Sequence, residues 1–452
     1  MLKEAVAYYH QLLEDTNIAE SSGRALDEGL ERTKLIFGGR RLSPYLRPHF
    51  VTKDDWTRVT KICETIWSAL QKVKDVAVKS EEMLDELGIT AIEKDLVAID
   101  PKYKQVSPNS RLDSFLTENA YSFVELNGES PAGVAYADSA SEIFLELPVM
   151  KKFLERFDVE TFKGRPKMLE VLLDCYTEFL GAKAEKKPVI AIVDLKGLPT
   201  QKEFELFKEY FEAQGYTSLI CAPEDLEFDG EKLYFGGVAI DIVYKRLLVN
   251  EYLPIMEQFP ALLDAYRAGA ICMVNSFRSK LVHKKAIFAV LTNEKYAHLF
   301  DEAELEAIKA HVPWTRKFRE EKTFNNGEEI DLVEWTRQNA HKLVLKPNDD
   351  YGGHGIYIGW NSSEKQWDDA IKLALTDEDY LVQERVETSK ELFPYLEHDG
   401  KIQMLEQLVD LDPLLFNGQV GSAFTRLSTT ELANVSSGGG MVPTFIISEK
   451  KE

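Results

Sequence analysis

The stretch Leu343-Val-Leu-Lys346-Pro347-Asn-Asp-Asp-Tyr-Gly352-Gly353-His-Gly355-Ile-Tyr-Ile-Gly359 decides how the rest of the chain is read. Val344 and Leu345 have the character of a buried strand, and Lys346 ends it. Pro347 lacks an N–H and stops the strand from continuing as a central ladder partner. Three glycines within four residues, Gly352, Gly353 and Gly355, then make a loop whose backbone can approach a ligand closely. Ile356 to Gly359 returns as a second strand. A lysine ahead of a glycine loop suits a nucleoside triphosphate, with the ammonium on phosphate oxygens and the loop closing over them. The order is not that of a P-loop, where glycines precede the lysine and a helix follows at once. The same residues also suit an ordinary glycine-rich hairpin with a surface lysine, and this stretch alone does not separate the two.

A second stretch adds weight: Arg111-Leu-Asp113, then Glu125-Leu-Asn127-Gly128-Glu129-Ser130-Pro131-Ala-Gly133. Arg111, Asp113 and Phe115 alternate with Leu112, Ser114 and Leu116, Glu118-Asn119 can turn the chain, and Ser122 to Leu126 returns it, so a hairpin is predicted. Asp113 then lies near the start of one strand, and Glu125 and Asn127 near the end of its partner. Residues two apart in a strand project from one face. Two carboxylates and an amide oxygen on one face form a hard-oxygen site suited to Mg²⁺. Arg111 shares the face of Asp113 and keeps its charge, so it suits a transferring phosphate. Two exposed carboxylates on an edge strand are the plainer reading of the same pattern.

The frame around these motifs is that of an ordinary globular protein. The chain has 452 residues, enough for two or three interlocked lobes, with 44% hydrophobic and 29% charged residues. Its net charge of −22 argues against a nucleic-acid backbone as partner. No apolar run has membrane-spanning length, and the first residues do not resemble a signal peptide, so neither a membrane nor export is expected. Cys63, Cys175, Cys221 and Cys272 are scattered without metal or redox spacing. They read as buried thiols in a reducing compartment, which points to the cytoplasm.

Taken together, the two motifs resemble the ATP-grasp ligases. Arg-x-Asp, an eleven-residue gap, Glu-x-Asn and Ser-Pro-x-Gly are similar to that family's metal-binding end. Lys346-Pro with its glycine loop is similar to the family's phosphate-binding lysine and lid. Most of the family carries the lysine half first; here the metal half, 111–127, precedes the lysine half, 285–384. That order resembles the circularly permuted ATP-grasp enzymes, of which glutathionylspermidine synthetase-like proteins are relatives.

The resemblance implies a mixed α/β, α+β fold: a permuted ATP-grasp body, a small α/β substrate lobe and a helical N-terminal region. Expected boundaries are 1–100 (helical), 101–185 (metal hairpin and helices), 186–275 (α/β lobe), 276–445 (nucleotide-binding region) and 446–452 (tail). It also implies ATP and Mg²⁺ as cofactors, with Asp113, Glu125 and Asn127 as metal ligands. Lys285 or its neighbour Lys284 would be the first nucleotide lysine, Lys285 being the better match, and Lys346 the second. Gly352, Gly353 and Gly355 would form the lid. Gln383 and Glu384, at the end of Tyr380-Leu-Val-Gln-Glu-Arg-Val386, would lie at the adenine and ribose hinge. Arg111 and Arg426 would act on the transferred group, Arg426 with Asn434 and the Gly438–Gly440 run lining an acyl-phosphate pocket.

The segments between fit a layered α/β chain. Residues 1–35 have amphipathic spacing with a predicted break at Ser21-Ser22-Gly23. Residues 53–87 read as one helix, capped by Thr52 or Asp54 and stopped by Gly88. Between them, Gly38 to Pro48 holds three arginines and reads as a salt-bridged connection or an anion-binding lip. Glu142 to Lys151 and Pro166 to Leu180 read as helices, and Pro188 to Asp194 as a buried strand. Thr200-x-x-Glu203 reads as a capping box opening a helix with Phe204, Phe207 and Phe211 on its apolar face. Ser218 to Ala222 and Val238 to Tyr244 supply further strands, with Phe228-Asp229-Gly230 turning a hairpin, so a parallel sheet is expected. Asp241 and Tyr244-Lys245-Arg246 would be a surface charge cluster or a substrate contact. Asn325-Asn326-Gly327 reads as an exposed turn.

The function implied is an ATP-dependent carboxylate–amine ligase working through an acyl phosphate, on small carboxylate and amine substrates of amino-acid, peptide or polyamine type. A phosphotransferase on the same scaffold and a non-catalytic nucleotide-binding module are the alternatives. No Gly-x-Ser-x-Gly and no Cys/His pair in a motif points to a nucleophilic side chain.

Overall fold

A computed structural model describes residues 1–450 apart from 38, 351, 378 and 431–438. The fold is mixed α/β, as the two strand periodicities and the helical spacings imply. Its centre is an antiparallel sheet in which the strands run Gly440–Val442, Gln419–Ser428, Ile402–Phe416, Asn109–Leu116 and Tyr121–Asn127, with Lys390–Leu396 also paired to Ile402–Phe416. The metal-type hairpin and the Arg426 strand, far apart in sequence, are thus two parts of one sheet. A second antiparallel sheet, Thr315–Lys317, Tyr380–Glu384, Leu343–Pro347 and Tyr357–Ile358, carries Lys346. Pro347 pairs with Tyr380 as the last residue of its strand, consistent with its missing donor.

The small lobe is a parallel sheet in the order Cys272–Val274, Ile242–Lys245, Ile190–Val193 and Ser218–Cys221. Ile190–Val193 is buried at every position, as expected of a parallel strand covered on both faces. Residues 226–240 add a three-stranded meander in place of a single hairpin, and Val238 to Tyr244 divides into two strands.

The N-terminal hundred residues are mostly helical but place His49–Thr52 in a sheet with Thr444–Glu449 and Phe157–Glu160. Residues 446–449 are therefore not a tail: Ile447 is fully buried and the strand is the centre of its sheet. The expected break at Ser21-Ser22-Gly23 is not there either, because Thr16–Thr33 is one helix. Its small residues serve close packing: a Cβ on Gly23 would stand 3.1 Å from Leu396 Cδ1, and Ser22 Oγ accepts from Val149 N at 3.0 Å. The chain breaks earlier, and Asp15 caps the new helix through Asn17 N and Ile18 N.

The predicted helix 53–87 is two helices, Lys53–Ala77 and Glu81–Glu86. Thr52 Oγ1 caps the first by accepting from Asp55 N at 3.0 Å. Its buried residues Trp56, Val59, Cys63, Ile66, Leu70 and Val73 recur three or four apart, and they share a core with Leu112, Tyr121 and Phe123 of the central hairpin. Ser80 caps the second helix, and Gly88 at φ +73° ends it. The long helix thus forms the floor beneath the metal-type hairpin. All four cysteines are buried free thiols. Among the described residues no helix is long and apolar enough to cross a membrane.

Candidate active site

The hairpin register sets Asp113 opposite Glu125 and Arg111 opposite Asn127. Asn127 Nδ2 lies 2.9 Å from Asp113 Oδ1 and 3.4 Å from Glu125 Oε1, so one amide touches both carboxylates. Beyond Asp113 the register shifts, because Ser114 faces Phe123 and Val124 is one residue too many. Such a bulge re-aims backbone groups. Here the Val124 carbonyl accepts from Lys346 Nζ at 2.7 Å. Lys346 comes from 222 positions further along and from the other sheet, so the two motifs face each other across one cleft.

Lys346 also donates to Gln383 Oε1 at 2.8 Å, while Gln383 Nε2 donates to Thr315 Oγ1 at 3.0 Å. Gln383 therefore orients the lysine, and its neighbour Glu384 lines the cleft and accepts from Asn325 Nδ2 at 3.2 Å. That contact buries Asn325, so only the following two residues form the exposed turn that the sequence suggested. Lys285 Nζ stands 3.4 Å from Glu125 Oε2 and donates to the Asp350 carbonyl at 2.5 Å. Lys284 turns away from the cleft, to Glu93 at 2.9 Å and the Gly88 carbonyl at 2.8 Å. Gly352 and Gly353 line the cleft, whereas Gly355 sits back against Pro347 and Tyr380.

Electrostatics follow from this packing. Burial alone would raise the Glu125 carboxyl, but Lys285, Lys346 and Arg426 hold it below the ordinary carboxylate range. Burial brings the Lys346 ammonium down to about 7; Glu125 works against that fall and Lys285 adds to it. Lys285 and Lys346 thus converge on Glu125 at one end of the cleft, a pair of cations placed where a polyphosphate could meet both.

Behind Asp113 is a feature the motifs did not announce. Asp410 and Asp412, both on Ile402–Phe416, join Asp113 in a buried group of three carboxylates. Arg426 ion-pairs with all three, at 2.9 Å for Nε to Asp412 Oδ2. Arg111 grips Asp113 with two hydrogen bonds, of 2.8 and 3.1 Å, and donates to the Ala132 carbonyl at 2.9 Å. Burial, reinforced by Asp113 and opposed by Arg426, pushes the Asp410 carboxyl up to about 6, and burial also raises Asp412. The three carboxylates are thus packed against two guanidiniums, Arg111 and Arg426, in one buried cluster. The pattern Val409-Asp-Leu-Asp-Pro413 holds the signal: two acids at period two inside an apolar strand share one face.

Two cavities meet at this point. The smaller, about 160 Å³, runs from Lys285, Lys346 and Asp113 to an apolar slot of Val344, Ile358 and Val386. The larger, about 580 Å³, is lined by Arg111, Asn127 and Arg246 and opens past Arg40. Glu125, Gly352 and Arg426 line both. Arg246 and Asp194 stand just after two adjacent parallel strands, at the carboxyl ends where open α/β sheets bind ligands. The expected surface cluster at 244–246 is not on the surface: Lys245 and Arg246 are buried, paired with Glu129 and Glu203. In the Gly38–Pro48 loop, Arg41 and Arg47 form salt bridges to Asp27 and Glu391, and Arg40 borders the larger cavity. Asn434 and Gly438 lie outside the described residues.

The family model of circularly permuted ATP-grasp type 2 matches residues 116–419, more than half of the chain. The chain belongs to this family. No curated protein matches it. Among solved structures it is similar to a glutathione synthetase-like effector from Globodera pallida, at 13% identity and a TM-score of 0.61, over 95% of this chain and 97% of that one. A candidate γ-glutamylcysteine synthetase from Methylobacillus flagellatus matches at 9% identity and a TM-score of 0.37, over 86% of each chain. A D-cycloserine synthetase matches at 15% identity and a TM-score of 0.26, over 49% of this chain and 74% of that one. The permuted ATP-grasp order agrees with the shared sheet, in which strands from 109–127 and 402–428 lie side by side.

Proposed function

We propose that the protein is an ATP-dependent, ADP-forming carboxylate–amine ligase, akin to the glutathionylspermidine synthetase-like proteins. The observation that carries this reading is the junction of two cavities at Glu125, Gly352 and Arg426, with Lys285 and Lys346 on one side and Arg111 and Arg246 on the other. One chamber has the lining for a nucleotide, with Val344, Ile358 and Val386 for the base and Glu384 for the ribose, and it widens to admit one as the glycine loop opens. The roomier chamber fits the carboxylate substrate and the incoming amine, of amino-acid, peptide or polyamine type.

The γ-phosphoryl group passes to the substrate carboxylate, breaking the bond to ADP and forming an acyl phosphate; the amine then displaces phosphate and loses a proton. Lys285 and Lys346 hold phosphate oxygens, and their charge is fixed in place before reaction. Arg426, clamped by its three carboxylates, is a cation held in place at the junction. Gly352 and Gly353, both at positive φ, let the loop close and exclude water that would hydrolyse the intermediate.

Asp113, Glu125 and Asn127 each carry a hard oxygen of the kind Mg²⁺ takes; Asn127 here turns Nδ2 to both carboxylates, so its amide has to flip to present Oδ1 to the ion. Bound there, the ion supplies neutralisation of phosphate charge. Four buried free thiols support a reducing location, the cytoplasm. The test is an ATP-turnover screen with Mg²⁺ against amino acids, short peptides and polyamines. Phosphate release that requires both a carboxylate and an amine supports the ligase. Transfer of phosphate to an acceptor with no amine present would make the protein a phosphotransferase.

A further inference from the structure

Asn348, two residues after Lys346, is fully buried and uses every polar group it has. Its main-chain N–H donates to the Asp379 carbonyl at 2.8 Å, and its carbonyl accepts from Lys285 N at 3.0 Å. Its side-chain Oδ1 accepts from Ala286 N at 2.8 Å. Its Nδ2 donates to the Leu87 carbonyl at 3.0 Å and to Asp379 Oδ1 at 2.9 Å. Three segments are joined at this one residue: the start of the Lys285 helix, the entry to the Gln383–Glu384 strand, and the turn that ends the helix Glu81–Glu86.

That turn is fitted to the asparagine. Gly88 has φ +73°, and a Cβ there would lie 2.5 Å from Asn348 Nδ2 and 2.9 Å from Asp379 Oδ1. Its carbonyl meanwhile accepts from Lys284 Nζ at 2.8 Å, beside Lys285. The N-terminal region thus touches both lysine-bearing segments without lining the smaller cavity.

We propose that Asn348 and the Leu87–Gly88 turn form a brace that fixes the spacing between the Lys285 and Lys346 ammonium groups for a polyphosphate. The inference rests on the nucleotide reading above and gives residues 1–100 a part in it. Asn348 and Gly88 are positioning residues; neither touches the nucleotide. A triphosphate needs both ammonium groups at a set separation, whereas the base and ribose need neither. Disturbing the brace is therefore expected to weaken ATP and spare adenosine, a split that general destabilisation does not produce.

Calorimetric titration of the full chain with ATP and with adenosine, in Mg²⁺, tests this. Gly88→Ala is expected to bind ATP about tenfold more weakly, the effect of losing one or two buried hydrogen bonds, and adenosine with wild-type affinity. Should Gly88→Ala not fold, Asn348→Ala, which removes the side-chain brace and adds no Cβ at Gly88, is expected to give the same split. Unchanged ATP affinity, or equal losses for ATP and adenosine, overturns the brace alone. A wild-type chain that binds no ATP overturns the nucleotide reading and the brace with it.

Discussion

Between Val124 and Gln383 the Lys346 ammonium has two neutral acceptors, and burial brings its pKa down to about 7. A triphosphate would add negative charge beside it and favour the protonated form. Nucleotide binding above pH 7 should therefore take up a proton, and affinity should fall as pH rises, by up to about tenfold per unit. Titrations in buffers of different ionisation enthalpy at pH 8 measure that uptake, and Lys346→Met should abolish it. Stability moves the other way. Above pH 7 the folded chain releases this proton while the unfolded lysine keeps it up to its ordinary pKa. The unfolded state then binds more protons, so this group's cost diminishes as pH rises through that window. Glu125 is the complement, a carboxylate kept ionised by Lys285, Lys346 and Arg426 against its burial. Glu125→Ala should cut Mg²⁺-dependent turnover by about 10²-fold or more while the protein still unfolds cooperatively. A folded variant with normal turnover would remove Glu125 from the proposed metal site.

At the scale of elements, Glu203 shows how tertiary contacts redirect a local signal. Thr200-x-x-Glu203 has the spacing of a capping box, yet Thr200 makes no side-chain cap to its own helix. Glu203 is fully buried and instead accepts from Gly133 N at 2.8 Å and Ala135 N at 3.1 Å, at the start of the helix Val134–Glu146. It also faces Arg246 Nη2 at 3.3 Å. The carboxylate thus caps a neighbouring helix and neutralises a buried guanidinium at the edge of the larger cavity. Glu203→Ala strands Arg246 in the interior and should cost roughly 3–5 kcal/mol in denaturant unfolding. A loss below about 1 kcal/mol, the value of an exposed pair, would show that Arg246 finds another partner. The hairpin at 111–127 was legible because its alternation is local, and the period of two correctly set Glu125 and Asn127 on one face. The bulge at Val124 was not legible, since a register shift depends on what the partner strand offers. Asp410 and Asp412 escaped for a related reason: their strand gains its meaning from Asp113, 297 positions or more away, and from Arg426 in the next strand.

For the molecule as a whole, the permuted order leaves a problem that the sheets solve. One sheet takes strands from 109–127 and from 390–442, so the last part of the chain must be held against the first for the cleft to exist. Sequence could show that the halves were inverted, because each carried its own motif, but not what joins them. The segment from 446 looked like a tail since its charged end, Ser448-Glu-Lys-Lys-Glu452, outweighs two apolar residues. In the structure Thr444–Glu449 pairs in parallel with His49–Thr52 and antiparallel with Phe157–Glu160, and Phe445 and Ile447 are fully buried. Parallel pairing of this kind has no local turn to support it, so it depends on burial of those side chains. Removing residues 444–452 takes out Phe445, Ile446 and Ile447, each worth roughly 1.5–3 kcal/mol of burial, and leaves His49–Thr52 and Phe157–Glu160 without a central partner. The loss is comparable with the whole stability of a typical domain, about 5–15 kcal/mol. Truncation after Pro443 should therefore abolish cooperative thermal unfolding and ATP binding together, although no deleted residue lines the smaller cavity. Phe445→Leu, a milder change, should lower the melting temperature and leave ATP affinity as it was. A truncated chain that melts cooperatively and still binds ATP would show that the two ends of the permuted chain are held together elsewhere.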